Sequence, residues 1–73
     1  MKQIFTALIQ REENVYVALC PELDIASQGD TIEESRRNLI EAVELFFECA
    51  DSSEVTRRLN SEIYITPLEV GVG

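Results

Sequence analysis

Carboxylates are the commonest reactive side chains of this chain, which has 14 acidic and six basic residues, no histidine and a formal net charge of −8. Acids that converge from neighbouring strands and a helix can bind Mg²⁺ and support nuclease chemistry. The apolar stretches 3–10 and 15–20, however, contain no acid. The acids that follow them lie in turns or at a helix start: Glu22, Asp24, Asp30 and Glu33. Solvation and helix capping explain these positions better than a metal site does.

Nucleophilic catalysis has little support. Because the chain lacks histidine, no imidazole can activate a serine or a cysteine. Cys20 and Cys49 are isolated in the sequence, so we interpret both as small packing residues and not as nucleophiles or zinc ligands. Gly29 precedes a predicted helix whose positive N-terminus would attract anions, but acids of the chain itself already lie there. We predict a protein that is not an enzyme and uses no cofactor.

The negative charge predicts the class of partner. Nucleic acids and anionic membranes repel such a chain, since affinity for both comes largely from Lys and Arg. The charge favours a basic protein as partner, although it also has a simpler interpretation, which is that it keeps a small protein soluble. No apolar stretch approaches the roughly 20 residues that span a bilayer, and residues 1–6 do not resemble a signal peptide. We expect a cytoplasmic protein without direct contact to nucleic acid or membrane.

Four segments have the composition of β-strands: Gln3–Gln10, Val15–Cys20, Asp24–Gln28 and Glu62–Thr66. The polar link 11–14 predicts that the first two form an antiparallel hairpin. Pro21 and Pro67 end the strands before them, because proline has no N–H to donate to a ladder. After the third strand, Gly29 offers the freedom in φ that the chain needs to enter a helix.

One long helix is predicted from Ile32 to about Ala50, where apolar residues recur with helical period. Thr31 and Glu34 form a capping box, in which the Thr31 hydroxyl accepts from the Glu34 amide and the Glu34 carboxylate accepts from the Thr31 amide. A further short turn of helix is expected at 54–59. The element order is then β-β-β-α-β.

This order predicts an α+β domain over residues 1–73, with one sheet and one helix on one of its faces. The helix covers one face, yet the first two strands are apolar on both, and an apolar patch of several hundred Å² is unusual on a monomer. A chain of 73 residues also has a marginal core. We therefore predict self-association, as a homodimer or larger, or a heterologous complex. The face assigned to it comprises Phe5, Ala7, Ile9, Tyr16 and Ala18.

The stretch 20–34, with its Pro21-Glu22-Leu23 turn and its Gln28-Gly29-Asp30-Thr31 helix start, resembles the HicB family of antitoxins. The amphipathic stretch 38–46 and the closing segment 63–67 extend the likeness to most of the chain. The resemblance implies a partial ribonuclease-H-like fold that has lost its catalytic acids. It also implies a homo-oligomer that binds a HicA-like toxin, a small basic ribonuclease, and blocks its action on RNA. Longer members add a C-terminal DNA-binding domain, for which residues 68–73 are too few, so no separate DNA-binding domain is expected.

Three hypotheses for the function follow. The favoured one is an antitoxin of a type II, HicAB-like toxin–antitoxin system, the second is a toxin-independent structural or regulatory oligomer, and the third is a residual metal-dependent nuclease. For the first, we expect acids of the third-strand loop and of the helix start to face cationic side chains of the toxin: Glu22, Asp24, Asp30, Glu33 and Glu34. Capping or solvation explains each of these acids equally well.

Overall fold

The computed structural model describes residues 3–73, over which the chain forms a three-stranded antiparallel sheet and two helices. The elements in chain order are β1 (Leu8–Glu12), β2 (Val15–Cys20), β3 (Ile25–Gly29), α1 (Ile32–Cys49) and α2 (Ser52–Leu59). The sheet order is β1-β2-β3, and α1 packs on one face. This confirms the predicted α+β class, with one sheet and a helix on one side of it. The first two residues of the predicted domain, Met1 and Lys2, lie outside the described range.

The first strand begins later than the sequence predicts. Leu8 pairs with Leu19, and the same register would place Thr6 opposite Pro21, which has no N–H. The ladder stops for this reason, and residues 3–7 run on outside the sheet. At its other end β1 continues through Glu12, so a two-residue turn connects it to β2.

The predicted fourth strand, Glu62–Thr66, is not formed within residues 3–73. Its alternating β-branched residues favour an extended backbone, but a strand also needs an edge to pair with, and propensity does not supply one. After Ser61 the chain leaves the body of the molecule, and residues 62–73, here called the C-terminal arm, are exposed throughout. Tyr64 is 80% exposed and Leu68 is 84% exposed.

Helix α1 begins at the predicted residue. Thr31 is its N-cap and accepts a hydrogen bond of 3.0 Å from the Glu34 amide. The Glu34 carboxylate accepts from the amide of Asp30, at 3.2 Å, and not from that of Thr31 as predicted. Beneath the helix lies a small core formed by Ala18, Cys20, Leu23 and Leu39. Five half-buried apolar side chains pack against this core: Phe5, Ile9, Ile25, Val43 and Phe46.

Gly29 is needed for close packing and not for an unusual backbone angle, since its φ is not positive. A Cβ at this position would lie 2.6 Å from the backbone nitrogen of Ser35, far inside van der Waals contact. Ser35 is fully buried and its hydroxyl donates to the Ile32 carbonyl at 2.8 Å. Two small residues therefore allow the first turn of α1 to lie directly on β3.

Helix α2 extends the short helical turn that was predicted at 54–59. Asp51 caps it by accepting from the Glu54 amide at 2.9 Å. The Arg58 guanidinium donates to the Leu23 carbonyl and lies over the Phe46 ring, 5.2 Å from its centroid. These interactions fasten α2 to the turn between β2 and β3. Neither helix of the described chain is long and apolar enough to cross a membrane.

Candidate protein-binding face

The two faces of the sheet have opposite surroundings. Ala18 and Cys20 are buried under α1, with 0% and 1% of their surface exposed. Because side chains alternate along a strand, Val15, Val17 and Leu19 point away from the helix. No helix or strand within the described residues packs on that side.

Most of the residues that the sequence assigned to self-association lie on the helix side of the sheet. Phe5 and Ile9 pack against the core and Ala18 belongs to it. Tyr16 is half-buried on the same side, and Ala7 is exposed beside the helix. Both faces of the hairpin are apolar, so composition does not reveal which one the helix takes.

The face away from α1, here called the open face, is ordered by the strand register. One row joins Leu8, Leu19 and Ala26, and the next joins Gln10, Val17 and Gln28. Leu8 is 47% exposed, and the β2 residues of the face are half-buried by their neighbours in the sheet. The open face is thus apolar along β2 and at the end that carries Leu8 and Ala26. It becomes polar towards the end that carries Gln10 and Gln28.

Carboxylates surround the polar end of the open face. Glu12 pairs with Val15, and Asp30 follows β3 at the position that the register would place on the far side of Val15. Glu13 lies in the adjoining turn with a φ of 55°, and Glu33 is exposed in the first turn of α1. The open face therefore combines an apolar centre with an acidic end, here defined as Glu12, Glu13 and Asp30.

Glu22, the first acid predicted to contact a toxin, is engaged inside the molecule. Its carboxylate accepts from the Thr6 amide at 3.0 and 3.1 Å and from the Thr6 hydroxyl at 2.5 Å. Burial alone would raise the pKa of Glu22, but these hydrogen bonds and that of its own backbone outweigh it and hold the pKa below its ordinary value. The carboxylate fastens residues 3–7 to the turn after β2, so we assign it a structural role.

The remaining predicted acids do not form a single patch. Asp24 is exposed at the start of β3 and Asp30 lies beyond its end, and six residues of extended chain separate them by about 20 Å. Glu34 is engaged in the helix cap. Of the predicted set only Asp30 belongs to the acidic end, Glu33 follows it in the first turn of α1, and sequence reasoning missed Glu12 and Glu13. On one side of β1 the residues are Leu8, Gln10 and Glu12, and this increase in polarity along the strand is the signal that indicates the solvent-exposed face.

The two thiols occupy different environments. Cys20 is buried beside Glu22, with its sulfur 3.5 Å from the carboxylate, and Cys49 is exposed near the end of α1. Burial raises the pKa of the Cys20 thiol, and the Glu22 carboxylate adds to the effect. Across residues 3–73, no three Cys, Asp or Glu side chains are grouped so that they could hold a metal ion.

Comparison with known proteins gives two relatives. A UPF0150 protein of Helicobacter pylori is 34% identical over 68 residues, which cover 92% of this chain and 94% of the relative. A UPF0150 protein of Synechocystis is 47% identical over 51 residues, which cover 64% of this chain and 65% of the relative. No protein-family model matches the chain. No solved structure matches it either.

Proposed function

The chain belongs to the UPF0150 family, and from this premise we propose that it is a HicB-like antitoxin that binds and neutralises a small basic toxin of the HicA type. The observation that carries the proposal is the open face, whose apolar centre is joined to an acidic end. A cationic protein with a complementary apolar patch fits such a surface, because charge steers the encounter and apolar burial stabilises the complex. The net charge of −8 acts in the same direction.

The backbone at Glu13 gives separate support. Its φ of 55° lies in the left-handed region, where glycine or asparagine costs less than a longer side chain, by about 1 kcal/mol. Strained positions persist where function favours the residue. The glutamate in this turn adds one carboxylate to the acidic end at the expense of the hairpin's stability.

The proposal is tested with the product of the adjacent reading frame, which it expects to be a small basic protein, by co-purification, growth rescue and binding kinetics at several salt concentrations. Reversing two acids of the acidic end, Glu12→Lys with Asp30→Lys, should slow association at least tenfold and flatten its salt dependence. The matched control is Glu41→Lys with Glu48→Lys, two exposed acids of α1 that change the net charge equally. If both double variants slow association equally, the net charge of the protein and not the position of the acidic end determines the rate.

The apolar centre is tested separately. Val17→Ser should raise the dissociation rate, since hydrophobic burial acts mainly on the lifetime of a complex. Val72→Ser, in the C-terminal arm, removes the same side chain at an exposed site and serves as the control. A Val17→Ser protein that dissociates at the wild-type rate would exclude the open face as the toxin site.

A second candidate function, a toxin-independent oligomeric module, is favoured by the exposed apolar residues of the C-terminal arm. It predicts stable self-association together with no binding to the neighbouring basic protein. The proposed function and this alternative are therefore distinguished by the same co-purification.

A further inference from the structure

A groove of about 950 Å³ lies between residues 3–7 and helix α1. One wall carries Phe5 and Ala7, and the other carries Ile40, Val43 and Phe47. The rings of Phe5 and Phe47 stack with their centroids 6.0 Å apart. The groove is thus an apolar slot beside the outer edge of β1, on the helix side of the sheet and away from the open face.

The C-terminal arm has the composition that such a slot would accept. Ile63 and Ile65 are 43% and 54% exposed, and their side chains alternate with those of Glu62, Tyr64 and Thr66 as in a strand. No residue of the arm belongs to a helix or strand in the described structure. An extended apolar segment with unpaired backbone groups is suited to join the edge of a sheet.

The groove carries one charge of each sign, because Arg36 and Glu44 both line it. The arm carries Glu62 and Glu69 and no basic residue. Arg36 attracts these acids and Glu44 repels them, so the apolar side chains and not the charges favour the match.

We propose that the chain forms a dimer by exchanging arms: residues 62–66 of each copy pair with the outer edge of residues 3–9 of the other, and Ile63 and Ile65 fill its groove. The relationship is reciprocal, so a two-fold axis closes the assembly at two copies. The exchanged segment supplies the fourth strand that the sequence predicts and the single chain does not form. This dimer does not depend on the proposed antitoxin function.

The course of the arm favours exchange over pairing within one chain. The Ser61 hydroxyl donates to the Glu22 carbonyl at 3.2 Å, which anchors the arm beside the turn after β2. From there Leu68 and Val72 become 84% and 95% exposed, and the molecule measures 49 × 29 × 20 Å. The end of the arm is thus exposed, and no residue of the arm lines the groove of its own chain.

Sedimentation equilibrium of the full chain tests the dimer. We expect a wild-type dimer whose Kd rises at least tenfold in the double variant Ile63→Asn with Ile65→Asn, and changes less than twofold in Val72→Asn, which lies outside the exchanged segment. Because two acidic copies repel each other, added salt should tighten the dimer, whereas it should weaken binding to a basic partner. A monomeric wild-type chain overturns the proposal and leaves the antitoxin proposal intact.

A mixed sample of isotope-labelled and unlabelled chains separates exchange from the alternatives. Isotope-filtered nuclear Overhauser spectra should contain contacts between the Ile63 or Ile65 methyl groups of one copy and the Phe47 ring of the other. If these contacts occur only within a chain, or if the dimer lacks them and associates through the open face, the arm exchange is refuted. This measurement uses the wild-type protein and does not depend on a variant that folds.

Discussion

Glu22 and Thr6 are joined by three hydrogen bonds at the point where Pro21 ends the β1–β2 ladder. Beyond the end of the ladder the Glu22 carboxylate is the acceptor for the Thr6 amide, and it holds residues 3–7 in place. These residues form one wall of the groove beside α1. A single carboxylate therefore positions the surface on which the proposed arm exchange depends.

Glu22→Gln should lower the free energy of unfolding by about 1–2 kcal/mol, because an amide accepts more weakly and sets an N–H against one of the Thr6 donors. Chemical denaturation at neutral pH measures the loss. Glu62→Gln is the matched control, since the Glu62 carboxylate bonds only to the nearby Tyr64 hydroxyl among the described groups.

Acidification should remove the advantage of the wild type. The native pKa of Glu22 lies below its ordinary value, so its carboxylate contributes stability above the unfolded pKa of about 4.3, and this contribution disappears as pH falls through the lower native pKa. The difference in stability between the wild type and Glu22→Gln should therefore shrink steadily as pH falls below the unfolded pKa of about 4.3. A difference that does not change with pH across this range would point to a packing effect of the substitution.

Gly29→Ala should destabilise the fold by about 1–3 kcal/mol, because its Cβ would meet the backbone of Ser35, which cannot rotate away. Gly71→Ala is the control, since a Cβ there meets nothing within 4 Å. Both variants are compared by thermal and chemical unfolding. Equal stabilities of the two would mean that α1 can move away from β3 at little cost.

Glu13→Gly should have opposite effects on stability and on binding. Relief of the left-handed backbone should stabilise the hairpin by about 0.5–1 kcal/mol, while loss of a carboxylate from the acidic end should slow association with the basic partner. Asp24→Gly is the control, because Asp24 also has a φ of 55° but lies at the other end of β3 from the acidic end. The Asp24→Gly protein should associate with the basic partner faster than the Glu13→Gly protein. Denaturation and binding kinetics on both proteins measure the two effects.

Thiol labelling should separate the two cysteines. At neutral pH Cys49 should react at once, while Cys20 should react at least about tenfold more slowly, since it is buried and its pKa is raised. Mass spectrometry of timed samples follows both, and Cys49→Ser isolates the slow reaction. Rapid labelling of Cys20 in that variant would show that residues 3–7 open frequently.

Most of the fold follows from local patterns in the sequence. The N-cap at Thr31, the helical period after it and the hairpin around residues 13 and 14 all act over a few residues, and each is present in the structure. The start of β1 depends on the residue that follows the neighbouring strand, which is Pro21. The composition of residues 3–10 alone does not reveal that partner.

The candidate site was harder to predict because it depends on which face the helix covers. Val17 and Ala18 are both apolar, and only packing decides that Ala18 is buried and Val17 is not. The role of Glu22 was missed for a related reason, since its partner Thr6 is 16 residues away in sequence. The predicted fourth strand is not formed because Ile63 and Ile65 pair with neither edge of the sheet within the described residues, and their own composition does not decide this.

The Asn38 side chain donates a hydrogen bond of 2.8 Å to the Gln28 carbonyl, which lies on an outermost strand of the sheet. A strand of another molecule that paired on that side would find one acceptor already engaged by a side chain of α1. Growth into fibrils requires both borders of a sheet to accept further chains. Because Asn38 already engages an acceptor on one border, we expect further strands to add preferentially at the other, which disfavours open-ended polymerisation.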